Sequence, residues 1–223
     1  MVRVGVIDYG LGNLKSIVKA LDSVGGCPSL VAHSDATDTC DLLVVPGVGA
    51  FGEGMMGVRK RGLDEGISRF VESGRPLLGI CLGCQMLLTK SEEFGVADGL
   101  DLIKGNVVRI PESPEAIPNV GWKRLINVST DLSHLPFASI QEGEWVYFVH
   151  SFHCEPDNSE NVLSRVHHGG NYITAIIGEN NVFGFQFHPE KSGKKGLEML
   201  RDALRLVGRP FLKRGAWSHF ASQ

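Results

Sequence analysis

An apolar stretch at residues 76–80 runs directly into Cys81, which has one glycine two residues before it and another two residues after it. The apolar residues predict a buried strand, and the residues after Cys81 are compatible with a helix. Gly79 and Gly83 would remove Cβ atoms where this strand and helix cross most closely, and the residue between them would occupy a strained turn. This is the layout of a nucleophile elbow with cysteine in place of serine. The start of the following helix would favour a thiolate.

Cys81 and Cys84 also form a Cys-x-x-Cys pair, the spacing of a zinc half-site or a redox pair. The sequence contains no second Cys-x-x-Cys for zinc, and the glycines around Cys81 serve a turn rather than a dithiol. Cys81 could equally be an inert thiol, because most cysteines of intracellular proteins are small buried hydrophobes. A catalytic role therefore requires a base elsewhere in the chain.

The motif His188-Pro189-Glu190 supplies a candidate base. Alternating phenylalanines before it predict a strand that ends at His188, and Pro189 stops further pairing. An imidazole at a strand end can take a proton from a thiol, and Glu190 can hold its other nitrogen. Together with Cys81, this motif predicts a Cys-His-Glu triad.

Gly47, Gly49 and Gly52 formally match a dinucleotide-binding fingerprint. We reject that interpretation because the stretch follows the third predicted strand, contains Pro46 at the turn, and has no acidic residue that ends a following strand about 20 positions on. A flexible glycine backbone beside the elbow is better suited to an oxyanion hole, next to the N–H of Leu82.

The order of the apolar patterns indicates the fold. Up to about residue 100, apolar strands alternate with amphipathic helices, which predicts a parallel sheet covered on both faces with sites at the carboxyl ends of its strands. Later strands are shorter and joined by turns, which predicts antiparallel pairs. We expect an α/β fold: a mostly parallel central sheet flanked by helices, as in a flavodoxin-like three-layer sandwich, with an added antiparallel portion in the second half. One domain is expected over residues 1–208, followed by a C-terminal tail over residues 209–223.

The composition limits the function classes. The net charge is −3, so there is no global electrostatic case for binding nucleic acid or an anionic membrane. The five cysteines are odd in number and scattered, and no signal peptide precedes the first strand. We therefore expect a cytoplasmic protein with free thiols. No apolar run approaches the roughly 20 residues that span a bilayer, and we expect neither a metal nor a cofactor.

With the elbow, the His188 motif and the glycine loop in this order, the chain resembles the class I, or triad-type, glutamine amidotransferases from residue 2 to about residue 207. Within that family it looks like the glutaminase subunits of imidazole glycerol phosphate synthase. The stretches that carry this further likeness are residues 8–14, 121–122, 147–151 and 190–192.

The resemblance implies a mechanism. The Cys81 thiolate attacks the side-chain amide of glutamine, His188 carries protons, and Glu190 orients His188. A γ-glutamyl thioester forms and is hydrolysed to glutamate, with release of ammonia. The oxyanion is held by the N–H of Leu82 and by that of Val48 or Gly49.

The resemblance also implies which residues bind glutamine. They are Gly49, Gln85, Glu93 and the backbone of Ser151 and Phe152. Glu93, expected on the helix that leads from the elbow, would pair with the α-ammonium of the substrate. The alternative for Glu93 is a solvated acidic face.

In this family the ammonia passes through a tunnel into a (β/α)8-barrel cyclase subunit, which makes imidazole glycerol phosphate and AICAR in histidine biosynthesis. Asn13, Trp122 and Lys191 match partner-interface positions. Asn119, Lys123 and Phe152 depart from the family pattern near that expected interface.

These departures leave the ammonia acceptor open. The same glutaminase could instead supply a sugar amidotransferase for surface polysaccharides. Two alternatives of other classes are a cysteine peptidase on the same sheet and a non-catalytic binding module.

Overall fold

The computed structural model describes residues 1–127, 137–209 and 211. Its helices are α1 (Leu14–Ser23), α2 (Phe51–Lys60), α3 (Leu63–Glu72), α4 (Leu82–Met86) and α5 (Gly193–Leu204). Its strands are β1 (Val2–Ile7), β2 (Gly26–Val31), β3 (Leu42–Gly47), β4 (Leu77–Cys81), β5 (Lys90–Ser91), β6 (Ala97–Asp98), β7 (Gly105–Arg109), β8 (Asn119–Arg124), β9 (Ile126–Asn127), β10 (Trp145–His150), β11 (Phe152–Pro156), β12 (Val162–His168), β13 (Asn171–Glu179) and β14 (Val182–Phe185). Short 3-10 helices cover Ser34–Thr39, Ser159–Asn161 and Pro189–Lys191.

The central sheet has the strand order β2-β1-β3-β4-β14-β13-β12-β9. The first five of these strands pair in parallel, whereas β13, β12 and β9 add antiparallel pairs. Every residue of β3 and β4 is buried, as expected for strands covered on both faces. The predicted α/β fold with an antiparallel portion in the second half is confirmed.

Helices lie on both faces of this sheet. Along β3, Leu42 and Val44 pack into one apolar cluster with residues of α1 and α5. The alternate residues Leu43 and Val45 pack into a second cluster with residues of α2 and α3. This alternation produces three layers, helix–sheet–helix.

Two smaller sheets accompany the central sheet. One pairs β10 with β8, and the other has the order β11-β7-β5-β6. Only Ser151 separates β10 from β11, so the chain passes between these two sheets at a single corner.

Much of the predicted tail at residues 209–223 lies outside the described residues. Within the described part of the chain, no helix combines the length and the apolar character needed to cross a membrane.

Candidate active site

The strand-to-helix turn at Cys81 has the geometry that the elbow interpretation requires. β4 ends at Cys81, and α4 begins at the next residue. Cys81 has a φ of 55°, a left-handed conformation that is costly for any residue with a side chain and persists only where the surroundings enforce it. The residue is 6% exposed, so its thiol lies just beneath the surface.

The glycines that flank Cys81 are required by close packing. A Cβ on Gly83 would lie 1.7 Å from the carbonyl oxygen of Val45, and one on Gly79 would lie 2.6 Å from the carbonyl oxygen of Gly83. Both neighbours are backbone atoms, which cannot rotate away. The helix can therefore cross the sheet at this point only because both positions lack a side chain.

His188 reaches the same edge of the sheet from the adjacent strand. It follows β14, which pairs in parallel with β4. Its backbone N–H donates to the carbonyl of Tyr147 at 2.9 Å, and the Ser192 hydroxyl donates to its carbonyl at 2.7 Å. Its Nδ1 lies 2.8 Å from Oε1 of Glu190, and both side chains are buried. The imidazole is thus fixed by its backbone and by a buried carboxylate.

The electrostatics of His188 favour the protonated ring. Burial alone lowers its pKa, but hydrogen bonding to Cys81 and Glu190, together with their charges, raises the pKa to about 9. Because Nδ1 faces Glu190, Nε2 is the nitrogen left for Cys81. That atom is buried, and apart from its interaction with Cys81 it has no partner among the described residues. The arrangement can move a proton between a thiol and a bound molecule.

The glycine loop after β3 lies beside the elbow. Gly47 pairs with Cys81 in the β3–β4 register. Val48 is 40% exposed, and Gly49 has a φ of 107° with open space where a side chain would project. The N–H of Leu82, at the start of α4, has no intrahelical partner. Gly47 and Val48 of this loop line a small cavity together with Ile80 and His188.

Tyr9 supports this loop and was not predicted as part of the site. Its buried phenol donates to the carbonyl of Pro46 at 2.8 Å, directly before the glycines. Burial raises the pKa of Tyr9, so the phenol stays a neutral donor. The sequence offered only an aromatic residue in a glycine-rich turn, which does not distinguish a support from an ordinary core residue.

Three of the predicted glutamine-binding residues, Gln85, Ser151 and Phe152, lie together at α4 and the start of β11. The Gln85 side-chain amide donates to the carbonyl of Phe152 at 2.8 Å and to Oε1 of Gln186 at 3.2 Å. Ser151 precedes Phe152 at the corner between β10 and β11. Gln186 was not predicted, because it lies inside an otherwise apolar strand pattern.

Comparison with known proteins places this geometry in a family. The model of the family described as "Glutamine amidotransferase class-I" matches residues 5–206. The chain belongs to the class I glutamine amidotransferases.

Among curated proteins, it is similar to imidazole glycerol phosphate synthase subunit HisH 1 of Legionella pneumophila (strain Paris), with 41% identity over 92% of this chain and 100% of the relative. It is 42% identical to subunit HisH of Methanosarcina mazei over 92% of this chain and 100% of the relative. The HisH subunit of Aquifex aeolicus is also 42% identical, over 92% of this chain and 97% of the relative.

Solved structures support the fold of this amidotransferase. PurLQS from Thermotoga maritima superimposes with a TM-score of 0.72 at 24% identity, over 92% of this chain and 98% of that chain. A structure described as a glutamine amidotransferase gives a TM-score of 0.71 at 20% identity, over 92% and 99% of the two chains.

Glu93 does not lie on the element that the sequence predicted. It lies in a turn after β5 and not on the helix that leads from the elbow, because α4 ends at Met86. Its Oε2 accepts a hydrogen bond from the N–H of Phe51 at 2.7 Å, so the carboxylate caps the start of α2. A negative charge is favourable at a helix N-terminus. Glu93 is partly buried, whereas its neighbour Glu92 is exposed.

Four of the five predicted interface residues lie at or near the surface of this amidotransferase. Asn13 is exposed before α1 and Lys191 is exposed beside the triad. Trp122 is 48% exposed and packs edge-on against Tyr147. Lys123 is partly buried and forms an ion pair with Glu115.

The fifth residue, Asn119, requires a correction. Its side chain is 1% exposed, so it does not lie on the surface that a partner could contact. Its Nδ2 lies 2.9 Å from Nε2 of His150. The expectation failed because β8 turns alternate residues inward, and β8 was not predicted.

Cys84 contacts Cys154, so its thiol is not placed as the redox partner of Cys81. Its Sγ lies 3.7 Å from Sγ of Cys154, and both residues are buried. Burial, followed by the contact with Cys154, raises the pKa of Cys84, which makes the thiol less reactive.

The first prediction concerns the elbow. Gly83→Ala should lower the free energy of unfolding by more than about 3 kcal/mol, because the added methyl group overlaps the Val45 carbonyl. The matched control is Gly52→Ala on α2, where the nearest atom to a new Cβ lies 3.9 Å away; it should be neutral or stabilising by about 0.5–1 kcal/mol. Urea unfolding measures both variants. Equal stability of the two would contradict the packing argument.

A second prediction follows from the pKa of His188. The folded protein raises this pKa from 6.5 to about 9. The associated stabilisation is therefore complete below about pH 6.5 and is lost as the pH rises through about 9. Over this pH window the free energy of unfolding of wild type should fall towards that of His188→Gln. The control His33→Gln, at an exposed histidine, should follow the wild-type profile. Parallel pH profiles for wild type and His188→Gln would contradict the assignment.

Proposed function

We propose that this protein is the glutaminase subunit of an imidazole glycerol phosphate synthase, which hydrolyses L-glutamine and passes the ammonia to a cyclase subunit of the HisF type. The observation that carries the proposal is the strained Cys81 beside the buried His188–Glu190 pair. The chain that holds this site is 41% identical to a HisH subunit along that subunit's whole length. We take residues 1–208 as one glutamine amidotransferase domain, which agrees with the family match at residues 5–206.

The first step is the attack of the Cys81 thiolate on the side-chain amide carbon of glutamine. A carbon–sulfur bond forms, and the carbonyl π electrons move to the oxygen. The N–H groups of Leu82 and of Val48 or Gly49 stabilise that oxyanion, because aligned donors in a site that excludes water favour developing charge.

The second step expels ammonia. His188, protonated and held by Glu190, gives its proton to the leaving nitrogen as the carbon–nitrogen bond breaks. The product on the enzyme is a γ-glutamyl thioester. Glu190 keeps the imidazole oriented and stabilises its charged form, which agrees with the raised pKa of His188.

The third step regenerates the Cys81 thiolate beside a protonated His188. His188, now neutral, takes a proton from a water molecule that attacks the thioester carbon. Collapse of the second tetrahedral intermediate breaks the carbon–sulfur bond and releases glutamate. The positive charge of protonated His188 then stabilises the negative charge of the departing thiolate.

The α-amino and α-carboxyl groups of glutamine need partners near the elbow. We assign these contacts to Gly49, Gln85, Glu93 and the backbone of Ser151 and Phe152. Glu93 is suited to the α-ammonium because its carboxylate is partly buried and fixed at the start of α2. A charged partner in a partly dry site binds a substrate cation more strongly than one in water.

A route for ammonia is supported by a small cavity beside the triad. The cavity has a volume of about 20 Å³ and is lined by residues that include Asn13, Val48, His188, Glu190 and Lys191. That volume holds about one water-sized molecule, which is also the size of ammonia. It links the catalytic His188 to the predicted interface residues Asn13 and Lys191.

A docking face for the cyclase is supported by the β8–β10 sheet. Its outward positions form cross-strand pairs, Trp122 with Tyr147 and Val120 with Val149. Val120 is 55% exposed and Trp145 is 48% exposed. An exposed apolar patch of this kind is typical of a protein–protein interface. It continues at Lys191, whose ammonium lies 6.0 Å from the Tyr147 ring centroid.

We place this activity in the cytoplasm, where cysteine thiols stay reduced. Cys81, Cys84 and Cys154 are all free thiols, and the proposed chemistry requires the first of them to stay unoxidised.

The activity is tested by measuring glutamate and ammonia release from glutamine, alone and with a cyclase subunit and its ribonucleotide substrate. We expect the cyclase to stimulate release. Cys81→Ala should lower the rate at least about 1000-fold and His188→Asn at least about 100-fold, whereas Glu190→Gln should lower it about tenfold or more. Exposed Cys27→Ala is the matched control and should match wild type. Full activity of Cys81→Ala would contradict the proposed nucleophile.

The partner assignment has its own test. Trp122→Ala should weaken cyclase binding at least about tenfold, because aromatic residues at interface centres carry much of the binding energy. Tyr172→Ala removes an aromatic side chain that is 60% exposed on β13 and should leave the affinity unchanged. Calorimetry with the purified cyclase subunit measures both. If the cyclase does not bind but a sugar amidotransferase does, the acceptor is the latter.

A further inference from the structure

A buried imidazole, His150, stands at the corner where the chain passes from the β8–β10 sheet to the β11 sheet. It is the last residue of β10, and its register partner on β8 is Asn119. It is 6% exposed. The catalytic scheme above does not use it, although it lies one residue from Ser151, at the segment assigned to glutamine binding.

The hydrogen bonds of His150 determine its tautomer. Nδ1 lies 2.7 Å from the carbonyl oxygen of Phe152, and a carbonyl can only accept, so Nδ1 carries a proton. Burial, the largest effect, lowers the pKa of His150 to about 3, so the ring is neutral and Nε2 is an acceptor. The Asn119 amide, at 2.9 Å from Nε2, must therefore donate to it through Nδ2.

The same carbonyl also holds the elbow helix. The oxygen of Phe152 accepts from Gln85 on α4 at 2.8 Å. It therefore receives two donors, one from the ring of His150 and one from the helix that follows Cys81. The second N–H of the Gln85 amide is directed at Gln186 at 3.2 Å. The Phe152 carbonyl on β11 thus accepts hydrogen bonds from both β10 and α4.

We propose that His150 is a positioning residue for the substrate: its neutral ring, fixed by Asn119, holds the Ser151–Phe152 backbone against Gln85 in the shape that binds glutamine. This inference rests on the proposed glutaminase function. It also gives the buried Asn119 a role, namely selection of the tautomer that can donate to Phe152.

Two substitutions test the roles of the two ring nitrogens separately. In His150→Asn the side-chain amide nitrogen replaces Nδ1, so the donor to Phe152 is retained. In His150→Gln the longer side chain replaces Nε2, so the contact with Asn119 is retained and the donor to Phe152 is lost. The matched control is His168→Gln, a histidine of β12 that is equally buried at 2% exposure and has no hydrogen bond to the Phe152 carbonyl among those of the described residues.

The test is the glutamine dependence of ammonia release by the complex with the cyclase. His150→Gln should raise KM about tenfold and change kcat less than about threefold, since one neutral hydrogen bond that supports ground-state binding is lost. His150→Asn and His168→Gln should keep KM within about threefold of wild type. Alkylation of Cys81 by a small haloacetamide should proceed at the wild-type rate in His150→Gln, because the thiol itself is not altered.

A spectroscopic measurement checks the tautomer directly. Nitrogen NMR of the wild-type imidazole should show a proton on Nδ1 and none on Nε2 throughout about pH 5 to 8, the range in which an ordinary histidine titrates. A proton on Nε2 at neutral pH would overturn the proposal.

The kinetic measurements can also contradict the proposal. Equal KM values for wild type and His150→Gln, or equal increases for His150→Gln and His150→Asn, would overturn the positioning role while leaving glutaminase activity in place. Absence of glutamine turnover by the wild-type complex would overturn the proposed function and, with it, this inference.

Discussion

The site depends on one close crossing, where α4 begins directly above the backbone of β3. Gly83 faces the carbonyl of Val45 with no room for a methyl group. Because the helix starts so close to the sheet, Cys81 must turn sharply and takes a left-handed φ of 55°. That turn brings the sulfur to the carboxyl end of β4, where the adjacent parallel strand β14 delivers His188. The strain at Cys81 is thus sustained by packing around it.

Strand β10 joins the proposed active site to the proposed partner surface. Its residues alternate in direction, so Phe148 and His150 point into the protein whereas Trp145 and Val149 are exposed. The carbonyl of Val149 lies 4.0 Å from the Cys81 sulfur, and that of Tyr147 anchors the backbone of His188. A protein bound to the outer face of this strand would therefore contact an element that also borders the nucleophile.

Local patterns in the sequence were sufficient to predict the central sheet, the elbow and the approach of His188 to Cys81. The stretch up to Gly52 was interpreted as a glycine loop and helix α2 was not predicted, because the helix start, Phe51-Gly52-Glu53-Gly54, is poor in helix-forming residues. It forms because its glycines allow close packing, as at Gly54 against Met86. The position of Glu93 depends on the two-residue strand β5, and the burial of Asn119 depends on strand β8. The pairing of both strands is set by tertiary contacts. No pattern within a few residues encodes such pairing.

In the proposed mechanism, Cys81 forms a covalent γ-glutamyl intermediate under the control of His188. The most direct measurement is peptide mass spectrometry of the enzyme mixed with glutamine and its cyclase partner and quenched in acid during turnover. We expect a γ-glutamyl adduct on the peptide that contains Cys81, attached as a thioester that hydroxylamine removes. Glutamate formation with an adduct on another residue, or with hydrolysis that persists after Cys81 is blocked, would contradict it.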